Sequence, residues 1–378
     1  MLSRISKWAD HHLKKMLPHI PTYIKDSFEF KGTLNKLKNI PEHALLFTAD
    51  AKAMYDNIEP THGLAIIENL IEDFKSKNLL ENDFPTDFLL KCLGLIMTHN
   101  VFQFGPTYWL QTVGTAMGTP VAVTWAILYY GWLEIRRLLP TFNNSIITLK
   151  RLVDDMFCIW TGTVAEFKEF QEIANNFGLL KWKFTNLSNK VEFLDLNIII
   201  NKGNLLTYTY EKPHNLFLYI PFTSSHSSFC KRSLIWSLCY RFYHLNDRDQ
   251  DYILQVNKLY KRLLKRGYPP ANTKRIIIEA TQQLENKPKK FLPSNKNNST
   301  LPDSTFIYKT IFSNSLNKDK IKYYIKKHLH FKQNPESNFN FTRNIIAFRK
   351  DKNLLELLSP TNFIVPETLL KEFKRNSF

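Results

Sequence analysis

Two acidic segments far apart in the chain hold the residues best suited to chemistry. One is Phe47-Thr48-Ala49-Asp50-Ala51-Lys52-Ala53-Met54-Tyr55; the other is Arg151-Leu152-Val153-Asp154-Asp155-Met156-Phe157. Each sets a carboxylate at the end of an apolar run, and the second sets two side by side. Carboxylates at buried strand ends are costly unless a cation compensates them. A pair of divalent metal ions does so, and two metals between carboxylates are how phosphoryl-transfer enzymes clamp attacking and leaving oxygens. The ligands must then sit on rigid elements. Asp50 at a strand end and Asp154 at a hairpin tip, joined by adjacent antiparallel strands, would be the shared metal ligands. Asp155 would support them.

Other residues fit the same chemistry. Tyr55 follows Asp50 closely enough to pack under an incoming sugar and exclude a 2′-hydroxyl, although a core tyrosine is the plainer alternative. In Gly114-Thr115-Ala116-Met117-Gly118-Thr119-Pro120, Gly118 and Pro120 would keep a backbone close to a nascent base pair. Taken alone, that loop is a tight turn before a helix.

The elements around these residues read as α+β. A buried strand over 44–49 ends at Asp50, and helices are expected from Thr61 and over 87–100. Residues 102–110, with Gly105-Pro106 at the centre, read as a hairpin. A buried helix follows the glycine loop to about Leu138. Residues 146–152 and 156–160 form a second hairpin with Asp154 and Asp155 at its tip. A helix over 165–177 precedes strands over 181–185, 191–200 and 205–210. The block therefore runs strand-helix-helix-strand-strand-helix-strand.

Beyond Ser224 the chain turns to helices rich in Arg, Lys and Tyr. In 249–266, Leu254, Val256, Tyr260 and Leu264 are expected on one face. Lys258, Lys261, Arg262, Lys265 and Arg266 fall on the others, as a phosphate-tracking or simply solvated surface. Residues 285–304 read as a polar linker.

Bulk composition narrows the class. The 378 residues are 44% hydrophobic and 14% aromatic, enough for sizeable cores and against wholesale disorder. A net charge of +17 points to a polyanionic partner, most often nucleic acid. Cys92, Cys158, Cys230 and Cys239 lack CxxC or zinc spacing and read as reduced, mostly buried thiols. The first ten residues have no apolar signal core. Residues 114–133 are uncharged and long enough to cross a bilayer, but read as a loop and a core helix because no second span exists. An intracellular, nuclear protein without membrane attachment is expected.

The ordered set FTADAKAMY, GTAMGTPVA, LVDD and Val191-Glu192-Phe193-Leu194-Asp195-Leu196 resembles the reverse transcriptases of Penelope-like retroelements. Segments at 210–213, 224–226, 266–269 and 347–354 extend that resemblance over nearly the whole chain. It implies a right-hand polymerase: a palm with a ferredoxin-like antiparallel sheet and packed helices, plus a helical thumb. The expected division is a helical segment over 1–44, a palm and fingers core over 45–210, a thumb over 211–290, and a linker with a basic region over 291–378.

The implied activity is RNA-directed DNA polymerisation, with RNA template, DNA primer and dNTP as partners and no small-molecule cofactor. Asp50, Asp154 and Asp155 would hold two Mg²⁺ ions, with Mn²⁺ as the alternative. Tyr55 would gate the sugar, Gly118 and Pro120 would position the template, and Lys183 would protonate the leaving pyrophosphate. Lys181 competes for that last role, and a plain strand-edge lysine is the other reading. Asp195, near the expected primer grip, reads as a structural carboxylate paired with backbone or an Arg. The family's basic fingers hairpin, which precedes the region matched from Trp8, and its GIY-YIG endonuclease segment are not among these residues. A truncated copy is therefore expected. The alternatives are a catalytically inactive remnant that binds nucleic acid, and a two-metal nuclease.

Overall fold

The computed structural model describes residues 2–286, 305–311, 318–328 and 343–349. The expected linker over 287–304 and the positions 350–354 of the downstream resemblance lie outside the described residues. By contacts, the chain divides into two compact units. One comprises Met1–Tyr219 and Ile235–Pro293; the other comprises Ile220–Leu234 and Ser294–Phe378.

In chain order the elements are α1 (Leu2–Lys14), a 3₁₀ turn (Leu17–His19), α2 (Ser27–Leu34), β1 (Leu45–Lys52), α3 (Pro60–Ser76), α4 (Thr86–Thr98), β2 (Val101–Phe104), β3 (Thr107–Leu110), α5 (Ala122–Leu133) and a π-helical turn (Glu134–Leu138). There follow α6 (Leu139–Thr141), β4 (Ile146–Leu152), β5 (Asp155–Trp160), α7 (Val164–Asn175), β6 (Lys181–Phe184), β7 (Lys190–Phe193), β8 (Leu196–Asn201), β9 (Asn204–Thr209), α8 (Ser228–Leu245), α9 (Asp249–Lys265) and α10 (Pro270–Glu285). In the second unit, β10 (Thr305–Ile311) and β11 (Arg343–Arg349) pair in parallel on either side, in sequence, of α11 (Lys318–His328).

The principal sheet has the order β4-β5-β1-β6, with all three pairings antiparallel. That is the ferredoxin-like order expected of a polymerase palm. Its two faces bury different cores, as a period-two alternation requires. Phe47, Ala49 and Ala51 of β1, with Met156, Cys158 and Trp160 of β5, face a core that draws on α1, α3, α4, α5 and α7. Leu46, Phe157 and Ile159 face a second core with α2, β7 and β8. The uncharged stretch of bilayer length is the glycine loop followed by α5, which is buried at ten of its twelve positions. No helix of the described residues is long and apolar enough to cross a membrane.

Two expectations are corrected. Residues 191–200 are not one strand but a hairpin, β7 and β8, reversing at Leu194-Asp195 with Leu194 at φ +52°. The pattern of alternating apolar residues continues through the turn, which hid it. Helix α9 buries Tyr252, Gln255, Leu259 and Leu263, whereas Leu254 is exposed. Its inward stripe is set by docking, and includes a glutamine that hydropathy alone would not choose.

A polar clasp ties the end of α8 to α2 and β9. Lys31 of α2 is buried, and its Nζ donates to both Asp247 oxygens at 2.6 and 2.7 Å. Asp247 also accepts from the Thr207 backbone N–H at 2.7 Å, and Asn246 Oδ1 accepts from the Thr209 N–H at 2.9 Å. A buried ammonium tolerates its site only when paired in this way.

The contact between α3 and α5 is equally exacting. A Cβ on Gly63 would fall 2.3 Å from the ring of fully buried Trp125. Gly63→Ala is therefore expected to cost about 1–3 kcal/mol, since an overpacked core must shift. Chemical denaturation of the two proteins checks this.

Candidate active site

Strand register brings the predicted acids together. Asp50 of β1 stands directly opposite Asp155 of β5 on one side and Lys183 of β6 on the other. Directly opposed residues in antiparallel strands point to the same face. Asp155, Asp50 and Lys183 thus form one row across three strands, beyond the end of the second core. Asp154 occupies the turn between β4 and β5 and is exposed. Its carbonyl accepts from the Ala51 N–H at 2.9 Å, which ties the turn to the strand bearing Asp50. The register of β6 is fixed by Thr185, whose N–H donates to Thr48 O at 2.8 Å and whose Oγ1 accepts from the Thr48 N–H at 2.9 Å.

The turn itself is held from behind. Val153 takes φ +53°, unusual for a β-branched residue. Arg151 Nη1 donates to Val153 O at 2.9 Å. The rest of that guanidinium grips Glu134: Nε to Oε1 at 2.6 Å and Nη2 to Oε2 at 3.0 Å, both side chains fully buried. Nη2 also donates to Ile127 O at 2.8 Å, and the Thr22 hydroxyl donates to Glu134. One buried ion pair thus joins the acidic turn, helix α5, the π-helical turn and the N-terminal segment.

The acids interact electrostatically. The Asp155 carboxyl is pushed up to about 6, first by burial, then by the charges of Asp154 and Asp50, with Lys212 opposing. Tyr55 packs at the edge of the helical core, and its phenol is raised by burial and by Asp154. The glycine loop meets the site through Gly114, at φ +78°. A Cβ there would lie 2.8 Å from Asp56 Cα, and the next N–H, of Thr115, donates to Tyr55 O at 2.6 Å. Gly114 is therefore the glycine that lets the loop lie on the backbone of Tyr55 and Asp56. Gly118 is exposed at φ +91° with no atom crowding its open side, and Pro120 is half-buried.

Among the described residues, no group of three or more His, Cys, Asp or Glu side chains is gathered into a metal-ligating cluster. The donor chemistry of the row nevertheless fits a divalent cation. Its carboxylates are hard oxygen donors, and burial first, then the charges of Asp154 and Asp50, keeps the Asp155 proton bound longer than usual.

Three residues were given no role from sequence. Arg151 and Glu134 are charges inside apolar runs, a signal that was available. Lys212 belongs to a quoted motif, but its closeness to Asp155 depends on how the 210–219 strap lies. Glu211 pins that strap to α9, accepting from Arg262 at 2.5 and 3.1 Å and from Lys258 at 3.1 Å. Arg266 Nε donates to Tyr219 O at 2.7 Å. Three of the five expected phosphate-tracking cations of α9 are thus engaged inside the fold; Lys261 and Lys265 are exposed. Asp195 is structural, accepting from Ser27 Oγ at 2.7 Å and paired with Arg241.

Similarity to known proteins falls into two parts. Residues 218–278 match the model of the animal helix-turn-helix domain, covering α8, α9 and the start of α10. No curated protein sequence matches the chain. Among solved structures, telomerase from Candida albicans, determined with a TWJ fragment of telomeric RNA, superposes with a TM-score of 0.52 at 11% identity, over 75% of this chain and 48% of that one. Apo telomerase from Candida tropicalis gives 0.44 at 14% identity, over 75% and 50%. The Sicinivirus 3Dpol RNA-dependent RNA polymerase gives 0.37 at 14%, over 69% and 55%. The chain has the α+β fold of a nucleic-acid polymerase core, and spans about half the length of the solved telomerases it matches.

Two predictions follow from this geometry. Arg151→Met leaves Glu134 charged and buried, and is expected to cost about 3–5 kcal/mol by denaturant unfolding; Arg151→Met with Glu134→Leu should recover much of it. Asp155 titrates near 3.8 when unfolded and near 6 when folded, so the folded state holds its proton longer. Stability from this group is present at low pH and is lost as pH rises through 4 to 6. Without divalent ions, Asp155→Asn should raise the thermal midpoint at pH 8 and give no gain at pH 4.

Proposed function

We propose that the chain is the polymerase core of a reverse transcriptase of the Penelope-like kind, joining a dNTP to a primer 3′-hydroxyl on an RNA template. The observation that carries this reading is the register of Asp155, Asp50 and Lys183 across three strands, with Asp154 tied to the same strand end. Asp50 and Asp154, supported by Asp155, would hold two Mg²⁺ or Mn²⁺ ions, which when bound supply Lewis-acid neutralisation of the attacking and leaving oxygens.

The chain's own groups account for the rest. Lys183, exposed beside Asp50, holds a proton for the leaving pyrophosphate. Tyr55, with its backbone fixed by Thr115 and its ring against the core edge, would exclude a 2′-hydroxyl. The open loop at Gly118 and Pro120 would lie against the template. The basic balance of the chain favours a nucleic-acid partner.

The second reading, an inactive remnant that still binds nucleic acid, is favoured by one observation: the acids are aligned but not gathered into a ligating cluster. Primer extension on an RNA template with Mg²⁺ separates the two. The polymerase reading predicts extension that falls by about three orders of magnitude or more in Asp154→Asn, with primer-template affinity retained. It also predicts that Tyr55→Ala admits ribonucleotides. Salt-sensitive binding without extension would establish the remnant.

A further inference from the structure

Two register positions past Asp50 and Lys183, Lys52 of β1 stands directly opposite Lys181 of β6. Like charges in directly opposed positions of a sheet are destabilising. Two of the lysines on this corner have an ordinary explanation. Lys181 Nζ donates to Asn175 O at 2.6 Å, at the C-terminal end of α7. Lys181 and Lys183 both lie on the edge strand of the sheet, where lysines discourage pairing with another chain.

Lys52 has neither explanation. It belongs to β1, which has β5 on one side as far as Asp50 and β6 on the other, and its side chain is exposed, with no ion pair or hydrogen bond among the described residues. Its backbone is fixed. Lys52 O accepts from Asn57 Nδ2 at 2.9 Å, the same amide reaches Ala53 O at 3.2 Å, and the chain turns away at Ala53 with φ +44°. Being two residues from Asp50, Lys52 shares its face of the sheet. An unpaired ammonium on a fixed stretch of backbone therefore stands on the face of the carboxylates, which would otherwise repel any phosphate brought to them.

We infer that Lys52 receives the triphosphate of the incoming nucleotide, with Lys183 flanking it and Lys181 behind. The inference deepens the polymerase reading and rests on it. Lysine suits the task as a mobile point charge on phosphate oxygens. The backbone phosphates of a primer-template offer the same chemistry. The place of Lys52, in line with Asp50, favours the nucleotide, whose phosphates must reach the acidic row.

The test uses Lys52→Glu and Lys52→Gln in the full chain. Calorimetric titration with inorganic tripolyphosphate should show binding to the parent protein that is about tenfold or more weaker in Lys52→Glu and intermediate in Lys52→Gln. In primer extension, KM for dNTP should rise by the same factor, while kcat and primer-template Kd hold. The thermal midpoint of Lys52→Gln should equal or exceed that of the parent, because a like-charge pair is relieved and no carboxylate is added beside Asp50; binding lost in that variant then cannot be lost folding. Unchanged tripolyphosphate affinity overturns the inference. So does an effect confined to primer-template Kd, which would assign Lys52 to the nucleic-acid backbone. A parent protein that binds tripolyphosphate through Lys52 but extends no primer supports the phosphate site and defeats the polymerase reading separately.

Discussion

The buried pair of Arg151 and Glu134 is the constraint on which the rest of the site depends. Neither side chain reaches solvent, and each is stable there only because the other is present. The guanidinium spends its remaining donors on Val153 O and Ile127 O. The strained turn that carries Asp154 and Asp155 is therefore braced against the helix that follows the glycine loop. Its own backbone joins β4 to the N-terminal segment, with Arg151 N–H donating to Thr22 O at 2.7 Å and Arg151 O accepting from the Ile24 N–H at 3.1 Å. An apolar pair would fill the space at no electrostatic cost, but would hold no carbonyl.

From that brace the chemistry is a matter of register. The antiparallel pairing of β5, β1 and β6 alone puts Asp155, Asp50 and Lys183 in one row, and a slip of one residue would turn all of them into the helical core. Thr185, Asn175 and the Asp154 carbonyl each fix the ends of these strands by hydrogen bonds. The fold so positioned is that of a nucleic-acid polymerase core, shared with a telomerase at a sequence identity too low to carry function.

Much of this was legible in the residues. Apolar runs ending in Asp50 and before Asp154 mark β1 and β4, and alternation together with two tandem carboxylates marks the hairpin tip. The order of strands and helices is enough to expect an α+β arrangement, and the resemblance adds the ferredoxin-like sheet. Asp195 was read as a structural carboxylate from its setting, and Arg241 and Ser27 hold it as one. What escaped depends on long-range contact. The turn at Leu194 has no glycine to announce it, and the buried face of α9 is chosen by its neighbours. Glu211, in a strap without regular structure, takes Lys258 and Arg262 out of the expected phosphate surface. The need for glycine at 114 is visible only once Tyr55 and Asp56 lie beneath it.

The central proposal is that Asp50, Asp154 and Asp155 together hold the cations of a polymerase. Electron paramagnetic resonance of bound Mn²⁺, titrated with primer-template and a non-hydrolysable dNTP present, tests it most directly. The account predicts two bound ions per chain that are lost in Asp50→Asn and in Asp154→Asn. Binding that is absent from the parent protein, or unchanged in those variants, would contradict it.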